Sequence, residues 1–222
     1  MENKAVWLAG PGKPPRISSA PTPKPGPGDL LVKGVAVQLG EWKIQAGLTS
    51  ATLTYPTMIG LLLSVIVEKI GSGVSRFAPG DHVASNSTGV LRKDARFGAY
   101  QRFALVRQEM TAKISRRSFD EAASLPTAGG GGRILFATGA RPEMQFPPGV
   151  SGFFKRFIDD YLDPNNKDFV QWVWWDYFEV AFTDGRIKSL PLEVKQGLAQ
   201  VNEVWDLLRR EQPGGKRLIL VP

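Results

Sequence analysis

The sequence contains no cysteine and a single histidine, His82. The first absence excludes disulfides, thiolate zinc sites and cysteine nucleophiles together. The second leaves metal catalysis, which normally draws on three ligands rich in His and Cys, with one imidazole and some carboxylates. No nucleophile-elbow pattern surrounds any serine, so a Ser-His-Asp triad has neither its nucleophile signature nor a choice of base. Long apolar runs are missing as well. The longest, Met58 to Val67, is too short to span a bilayer and is rich in β-branched residues, which predicts a buried strand. Met1 to Ala9 shows no basic segment leading into an apolar stretch, so no signal peptide is expected, and the expected location is the cytoplasm. Clustered charge is also scarce. The formal net charge of +7 suits an anionic partner of some kind, yet the densest basic groups (Arg116-Arg117, Arg209-Arg210, Lys216-Arg217) are only pairs. Such pairs read as solvated surface, and neither a nucleic acid nor a membrane is expected as a partner.

What remains, 42% hydrophobic and 22% charged residues over 222 positions, has the balance of a globular protein with one main domain. Lys4 to Leu8 reads as a first strand. Pro11, Pro14, Pro15, Pro21, Pro23, Pro25 and Pro27 then force an extended or turning path, since no helix could persist through them. Asp29 to Gln38 is a half-buried strand, and Ile59 to Ile70 a buried one closed by the turn Gly71-Ser72-Gly73. A further stretch at Val74 to Phe77, the turn Pro79-Gly80-Asp81 and strands at His82 to Ser85 and Gly98 to Val106 follow. Ser118 to Ser124 reads as a short helix with Ser118 as its N-cap. Short strands punctuated by Gly and Pro every ten residues or so predict a barrel or sandwich. Beyond Pro126 come four glycines (Gly129 to Gly132), a strand at Arg133 to Thr138 and an aromatic helix from Phe169 to Thr183 ended at Gly185. A strand near Ile187 to Val194, a helix from Leu198 to Arg210 and a last strand Arg217 to Val221 complete the chain.

The segments KAVWLAGPGKPPRI, PKPGPGDLLVKGVAV, Glu41 to Gly47 (EWKIQAG), Tyr55-Pro56, VEKIGSGVSRFAPGDHV, GAYQRFALV and SFDEAASLPTA occur in the order seen in one family. So do FTDGRIKSLPLEV and QGLAQVNEVWDLLRREQPGGKRLILVP at the end. As a set they resemble the medium-chain dehydrogenase/reductases, in the zinc-independent quinone-oxidoreductase and fungal trans-acting enoyl-reductase branch. The resemblance implies a mainly β fold with α: a GroES-like, partly open β-barrel plus C-terminal helices. It also implies hydride transfer from NADPH to an activated alkene or quinone, with the protein orienting reactants and polarising a carbonyl. On this reading residues 1–128 begin the substrate domain, 129–132 are a glycine linker where the cofactor domain belongs, 133–185 keep a strand and the aromatic helix from the end of that domain, and 186–222 return to complete the substrate domain.

The departures carry equal weight. Where the family enters a Rossmann domain, Ala128 meets four glycines without the strand and helix that make a phosphate cradle. A flexible splice, natural or engineered, is the expectation, with a phosphate-binding loop as the alternative. Leu61, Leu62 and Leu63 stand where relatives usually carry a polar pair bordering the cleft, and where relatives often show Asn-Pro before Asp-Trp-Lys, Leu39-Gly40-Glu41 is shorter and altered. Glu41, Trp42 and Lys43 match the loop that borders substrate in relatives. Lys43 could donate to a carbonyl or cap Trp42, Tyr55 could wall the pocket or pack, and Tyr100 could face the cleft or the barrel. These five are the candidate substrate-binding residues. His82 reads as a turn residue, and the Trp172 to Phe178 aromatics read as core. No cofactor is expected in this chain, NADPH being that of full-length relatives. A hydrophobic acyl or quinone-like molecule is the expected ligand, and the chain is expected as a monomer or as a homodimer through Arg133 to Thr138. An active reductase whose cofactor site is completed by dimerisation or another chain, and a non-catalytic scaffold, stand as alternatives.

Overall fold

The computed structural model describes residues 2–38, 41–47, 52–114, 133–136, 151–154, 163–187, 191–210, 214 and 216–221; for 35–38, 133–136 and 151–154 it describes the backbone alone. Strands β1 (Asn3–Trp7) and β2 (Arg16–Ala20) pair antiparallel, so the proline-rich stretch is in part a strand, as its extended φ angles permit. Strand β3 (Asp29–Gln38) is the hub of a seven-stranded sheet. Along one edge it carries β4 (Leu62–Ile70), which continues to β5 (His82–Asn86). Its other edge is shared. Strand β6 (Phe103–Arg107) pairs with Asp29 to Lys33, while Val37 and Gln38 pair with the last strand of the chain. A short β7 (Thr111–Lys113) extends the sheet beyond β5. Two further strands, β8 (Arg133–Phe136) and β9 (Ser151–Phe154), pair parallel to one another. Strand β10 (Leu192–Gln196) and β11 (Arg217–Val221) also run parallel, which requires a crossover, and helix α4 (Val201–Arg209) supplies it.

This crossover makes the chain end part of the main core. On α4 the apolar positions Val201, Val204, Trp205 and Leu208 recur at helical spacing. They pack on Leu30, Val32, Leu63, Val65, Ala104 and Val106, together with Leu218 and Leu220 of β11. Burying such side chains contributes about 1.5–3 kcal/mol apiece, so the barrel depends on residues more than a hundred positions away in sequence. The other face of β3 and β6 is covered too, by a second cluster of Leu31, Phe97, Phe103 and Leu105.

Helix α3 covers residues 167–183 in three stretches: α-helical Lys167–Gln171, the wider π-wound Trp172–Tyr177, and α-helical Phe178–Thr183. It ends on Asp184 with Gly185 at φ +74°, a left-handed position that glycine occupies without a Cβ penalty. Val170 and Trp174 pack on Met110 and Ala112, and Phe182 joins Ala84 and Ile114. Arg76 and Glu179 form a 2.7 Å ion pair, Glu179 accepts the Lys113 amide N–H at 2.8 Å, and Trp175 Nε1–H donates to the Gln108 carbonyl at 3.2 Å. The helix is therefore docked on β7 and on the turn before it by packing and polar ties together.

Several boundaries differ from the sequence reading for local reasons. The buried strand expected from Ile59 begins at Leu62 because Gly60 sits at φ +109°, outside any strand conformation. Gly98 to Val106 is strand only from Phe103, since Gly98 packs on Met58 so closely that a Cβ would lie 2.3 Å from its carbonyl oxygen. Within β6 the expected alternation is replaced by four successive buried residues, because both faces of this strand are covered. The aromatic helix starts at Lys167, the strand near Ile187 to Val194 is Leu192–Gln196, and β7 and β9 were not anticipated. The helix expected at Ser118 to Ser124 and the glycines at Gly129 to Gly132 lie outside the described residues.

Candidate functional site

The five candidate residues converge from three stretches of chain. Glu41 precedes the short helix α1 (Trp42–Gln45), whose first turn closes on the Glu41 carbonyl. Its side chain turns inward and is 3% exposed. One carboxylate oxygen accepts the Leu61 amide N–H at 2.7 Å, and the other accepts the hydroxyl of Tyr100. Tyr100 has no solvent exposure, and its ring lies 6.1 Å from that of Trp205 on α4. Burial first, and then the adjacent carboxylate, push the Tyr100 phenol well above its ordinary value, because both disfavour a second negative charge there. The Trp205 N–H opposes that shift from nearby, although outside good hydrogen-bond geometry. Gly60 completes the arrangement, since a Cβ there would approach Tyr100 Cδ1 to 2.6 Å.

The loop at Glu41 and the apolar stretch at Leu61 are thus bonded to one another. Glu41, in that loop, holds the backbone of Leu61, in the apolar stretch. The Leu61 carbonyl is fixed in turn by the Ser87 amide at 2.6 Å. Leu63 is buried in the core, whereas Leu61 and Leu62 are half-buried. Position 61 serves this cluster through its amide, not through its side chain.

Trp42 packs against the main core beside Leu53 and Tyr55. Two cations flank it: Lys43 Nζ at 5.9 Å from the ring centre and the Arg209 guanidinium at 6.0 Å. Lys43 is exposed and lies over an aromatic neighbour, the capping role. Tyr55 is half-buried, its phenol raised by that burial, and it precedes a cis peptide bond to Pro56. With Leu53, Ile44, Gln45, Pro11 and Gly12 it lines a shallow recess of about 270 Å³. A second, open depression of about 590 Å³ adjoins it, where Gly12, Gln45 and Ala46 meet Asn202, Asp206 and Arg209 of α4.

Of the five residues, then, Tyr55 lines the recess, Lys43 is exposed and Trp42 half-buried, while Glu41 and Tyr100 are sealed and bonded to each other. In this arrangement Glu41 and Tyr100 cannot touch a ligand and act as a strut beneath the recess. The barrel, not the cleft, is the side Tyr100 faces. His82 opens β5 opposite Ile66. Among the described residues no three of the His, Asp and Glu side chains come together as metal ligands.

Residues 26–116 match the alcohol dehydrogenase GroES-like domain. The zinc-binding alcohol dehydrogenase domain-containing protein cipB of Emericella nidulans is 30% identical over 131 residues, covering 57% of this chain and 41% of its own. The trans-enoyl reductase tndF of Aspergillus flavipes is 32% identical over 133 residues, covering 57% and 38%. These matches support the resemblance to the medium-chain dehydrogenase/reductase superfamily. The fold agrees. The human synaptic vesicle membrane protein VAT-1 homolog-like protein superposes with a TM-score of 0.77 at 15% identity, with 100% and 98% of the two chains covered. The CurK enoyl reductase gives 0.74 at 11% with 99% of each covered, and a mycobacterial protein complexed with NADPH gives 0.71 at 14% with 99% and 100% covered. The chain spans about two fifths of the length of the curated relatives it matches. Trans-enoyl reductases are among these relatives, which supports an oxidoreductase-like domain.

A medium-chain dehydrogenase/reductase uses a nicotinamide dinucleotide, and the described residues offer no fitting cradle for one. The strand–turn–helix unit at β10 and α4 has a single glycine, Gly197, where the phosphate-binding turn needs a glycine series. It also places Glu203 in the first helical turn, where a carboxylate competes with a phosphate for the positive helix end.

Sequence reasoning missed three participants here: Trp205 against Tyr100, Arg209 over Trp42, and the Leu61 amide. The first two belong to the apolar and basic positions of a helix that periodicity does reveal, but nothing local says which strand that helix lies on. The third is a backbone group and has no sequence signature.

Proposed function

We propose that this chain is the substrate-binding half of an NADPH-dependent enoyl or quinone reductase-like protein and that it does not transfer hydride by itself. The observation that carries this reading is the space between Ile114 and Asp163. A dinucleotide-binding domain needs two βαβαβ halves, and each βαβ unit takes about 30 residues. Residues 115–162 have room for one, and among the described residues there β8 and β9 pair parallel. Hydride transfer requires a nicotinamide held rigidly against its acceptor, and no step is available without that second half. The ligand the remaining half would take is a hydrophobic acyl or quinone-like molecule, seated in the recess that Tyr55, Leu53 and Ile44 line. A second reading, a cofactor site completed by another copy pairing through Arg133 to Thr138, has in its favour that β8 and β9 form a two-stranded sheet of their own among the described residues.

The test is a titration of the purified chain with NADPH, followed by cofactor fluorescence, alongside turnover of a 2-enoyl thioester and a para-quinone. Tryptophan quenching by the thioester alone measures ligand binding. The proposal expects quenching that saturates and is weakened by Tyr55→Ala, with neither NADPH binding nor turnover. Saturable micromolar NADPH binding with turnover at a rate per chain independent of concentration would overturn it. Turnover that rises with the square of protein concentration would favour the second reading.

A further inference from the structure

The outward face of α3 carries four exposed large apolar residues in a row: Phe169 (57% exposed), Trp172 (50%), Tyr177 (42%) and Val180 (52%). Among the described residues the other exposed large apolar ones, Ile17, Ile70 and Val194, lie singly on separate strands. Scattered residues of that kind are ordinary on a protein surface, whereas a contiguous strip marks a contact site.

The π-wound stretch creates this strip. In a regular α-helix, side chains five apart point about 140° away from each other and cannot touch. Trp172 and Tyr177 are five apart and bound the π stretch, whose wider turn brings positions i and i+5 onto one side. Their ring centres are 5.7 Å apart, and Phe169 lies 6.1 Å from Trp172. The helix thus presents one aromatic ridge where α geometry would have split it into two.

The spacing of the ridge says what fits it. Phe169, Trp172, Tyr177 and Val180 are separated by three, five and three residues, a pattern symmetric about the point between Trp174 and Trp175. We propose that this face is a self-association surface, on which α3 of a second copy packs antiparallel about a two-fold axis. Such a pairing sets Phe169 against the partner's Val180 and Trp172 against the partner's Tyr177, twice over, as an isologous interface requires. Charge agrees with this occupant. Asp163 lies just before the helix and Arg186 just after it, so in the antiparallel register Arg186, which also holds its own Asp184 at 2.7 Å, comes opposite the partner's Asp163. Asp176, exposed beside the ridge, falls opposite the partner's Val173 and not opposite its own copy.

Area sets the strength. A large aromatic side chain buries 150–250 Å² when fully covered, so half-exposed ones offer roughly 100 Å² each. Four on each copy give on the order of 800 Å², below the roughly 1,200 Å² of standard stable interfaces. The dimer is therefore weak and populated only at high micromolar concentration. This inference does not depend on the oxidoreductase reading and uses a surface other than β8.

Sedimentation velocity of the full chain over a series from low micromolar to near-millimolar concentration should show a monomer passing into a dimer. Trp172→Glu should stay monomeric throughout with an unchanged far-ultraviolet circular dichroism spectrum. Asp163→Arg or Arg186→Asp alone should weaken association several-fold, and the two together should restore most of it. Because the chain has no cysteine of its own, Phe169→Cys and Val180→Cys proteins can be mixed and oxidised, and the mixed species should cross-link at least several-fold faster than either protein with itself. A monomer at every concentration, or cross-linking of Phe169→Cys to itself as fast as to Val180→Cys, would overturn the proposal. The cross-linking arm decides the matter even if Trp172→Glu fails to fold.

Discussion

Removing the Tyr100 hydroxyl with Tyr100→Phe isolates the strut beneath the recess, because the ring and its contact with Trp205 stay in place while one hydrogen bond to Glu41 is lost. A hydrogen bond to a charged group contributes about 1.5–3 kcal/mol, so unfolding should become easier by about 2 kcal/mol. For a chain of this size that is roughly a 4–8 °C lower Tm. Glu41→Ala removes the acceptor of two buried donors at once, the Tyr100 hydroxyl and the Leu61 amide, and leaves a small cavity. Each stranded donor costs about 1–3 kcal/mol, which puts this variant about 3–5 kcal/mol below the parent. The double variant strands only the Leu61 amide, so it should be less destabilised than the two singles added together, by about 1–2 kcal/mol. Urea unfolding followed by the fluorescence of the six tryptophans reads all four proteins on one scale. Tyr100→Phe indistinguishable from the parent, or strictly additive single effects, would show that the two groups are neighbours without being energetically joined.

Two further outcomes follow from the same region. Gly60→Ala should destabilise the protein by more than about 2 kcal/mol, through its positive φ and through overlap with Tyr100, and a thermal melt close to the parent's would contradict that contact. The second concerns alkaline pH: the folded chain holds the Tyr100 proton more tightly than the unfolded chain does, so this stabilisation is complete below the unfolded value near 10 and is lost as pH rises beyond it. Tyr100→Phe should flatten that alkaline loss in a series of melts against pH, and an unchanged slope would remove the phenol as its cause.

Much of the scaffold was legible because it follows local rules. Strands β3 and β11 lie where alternation and apolar runs put them, and Gly185 ends α3 as a left-handed cap should. Strand β6 shows where such rules fail: alternation predicts one buried face, but β3 and its neighbours cover both. The candidate site was legible only as a set. All five residues lie in one neighbourhood, yet their division into a sealed pair and three more exposed residues could not be read from them. Tyr100 was open to either face of its strand, and the choice is made by Glu41, 59 positions earlier in the chain.

The sequence alone determined what depends on residue chemistry and short-range geometry: that no thiol chemistry is possible, that prolines exclude helix before Asp29, that the motif order resembles that of the medium-chain dehydrogenase/reductases, and that Ala128 runs into four glycines without the strand and helix of a phosphate cradle. Only the tertiary structure decided what depends on distant segments meeting. It joined the Glu41 loop to the apolar stretch through the Leu61 amide, brought α4 over Trp42 and Tyr100, and left the wide turn of α3 turned outward with its aromatic ridge exposed. The physical reason is that propensities and caps act within a few residues, whereas burial, hydrogen-bond satisfaction and exposure are properties of the packed chain.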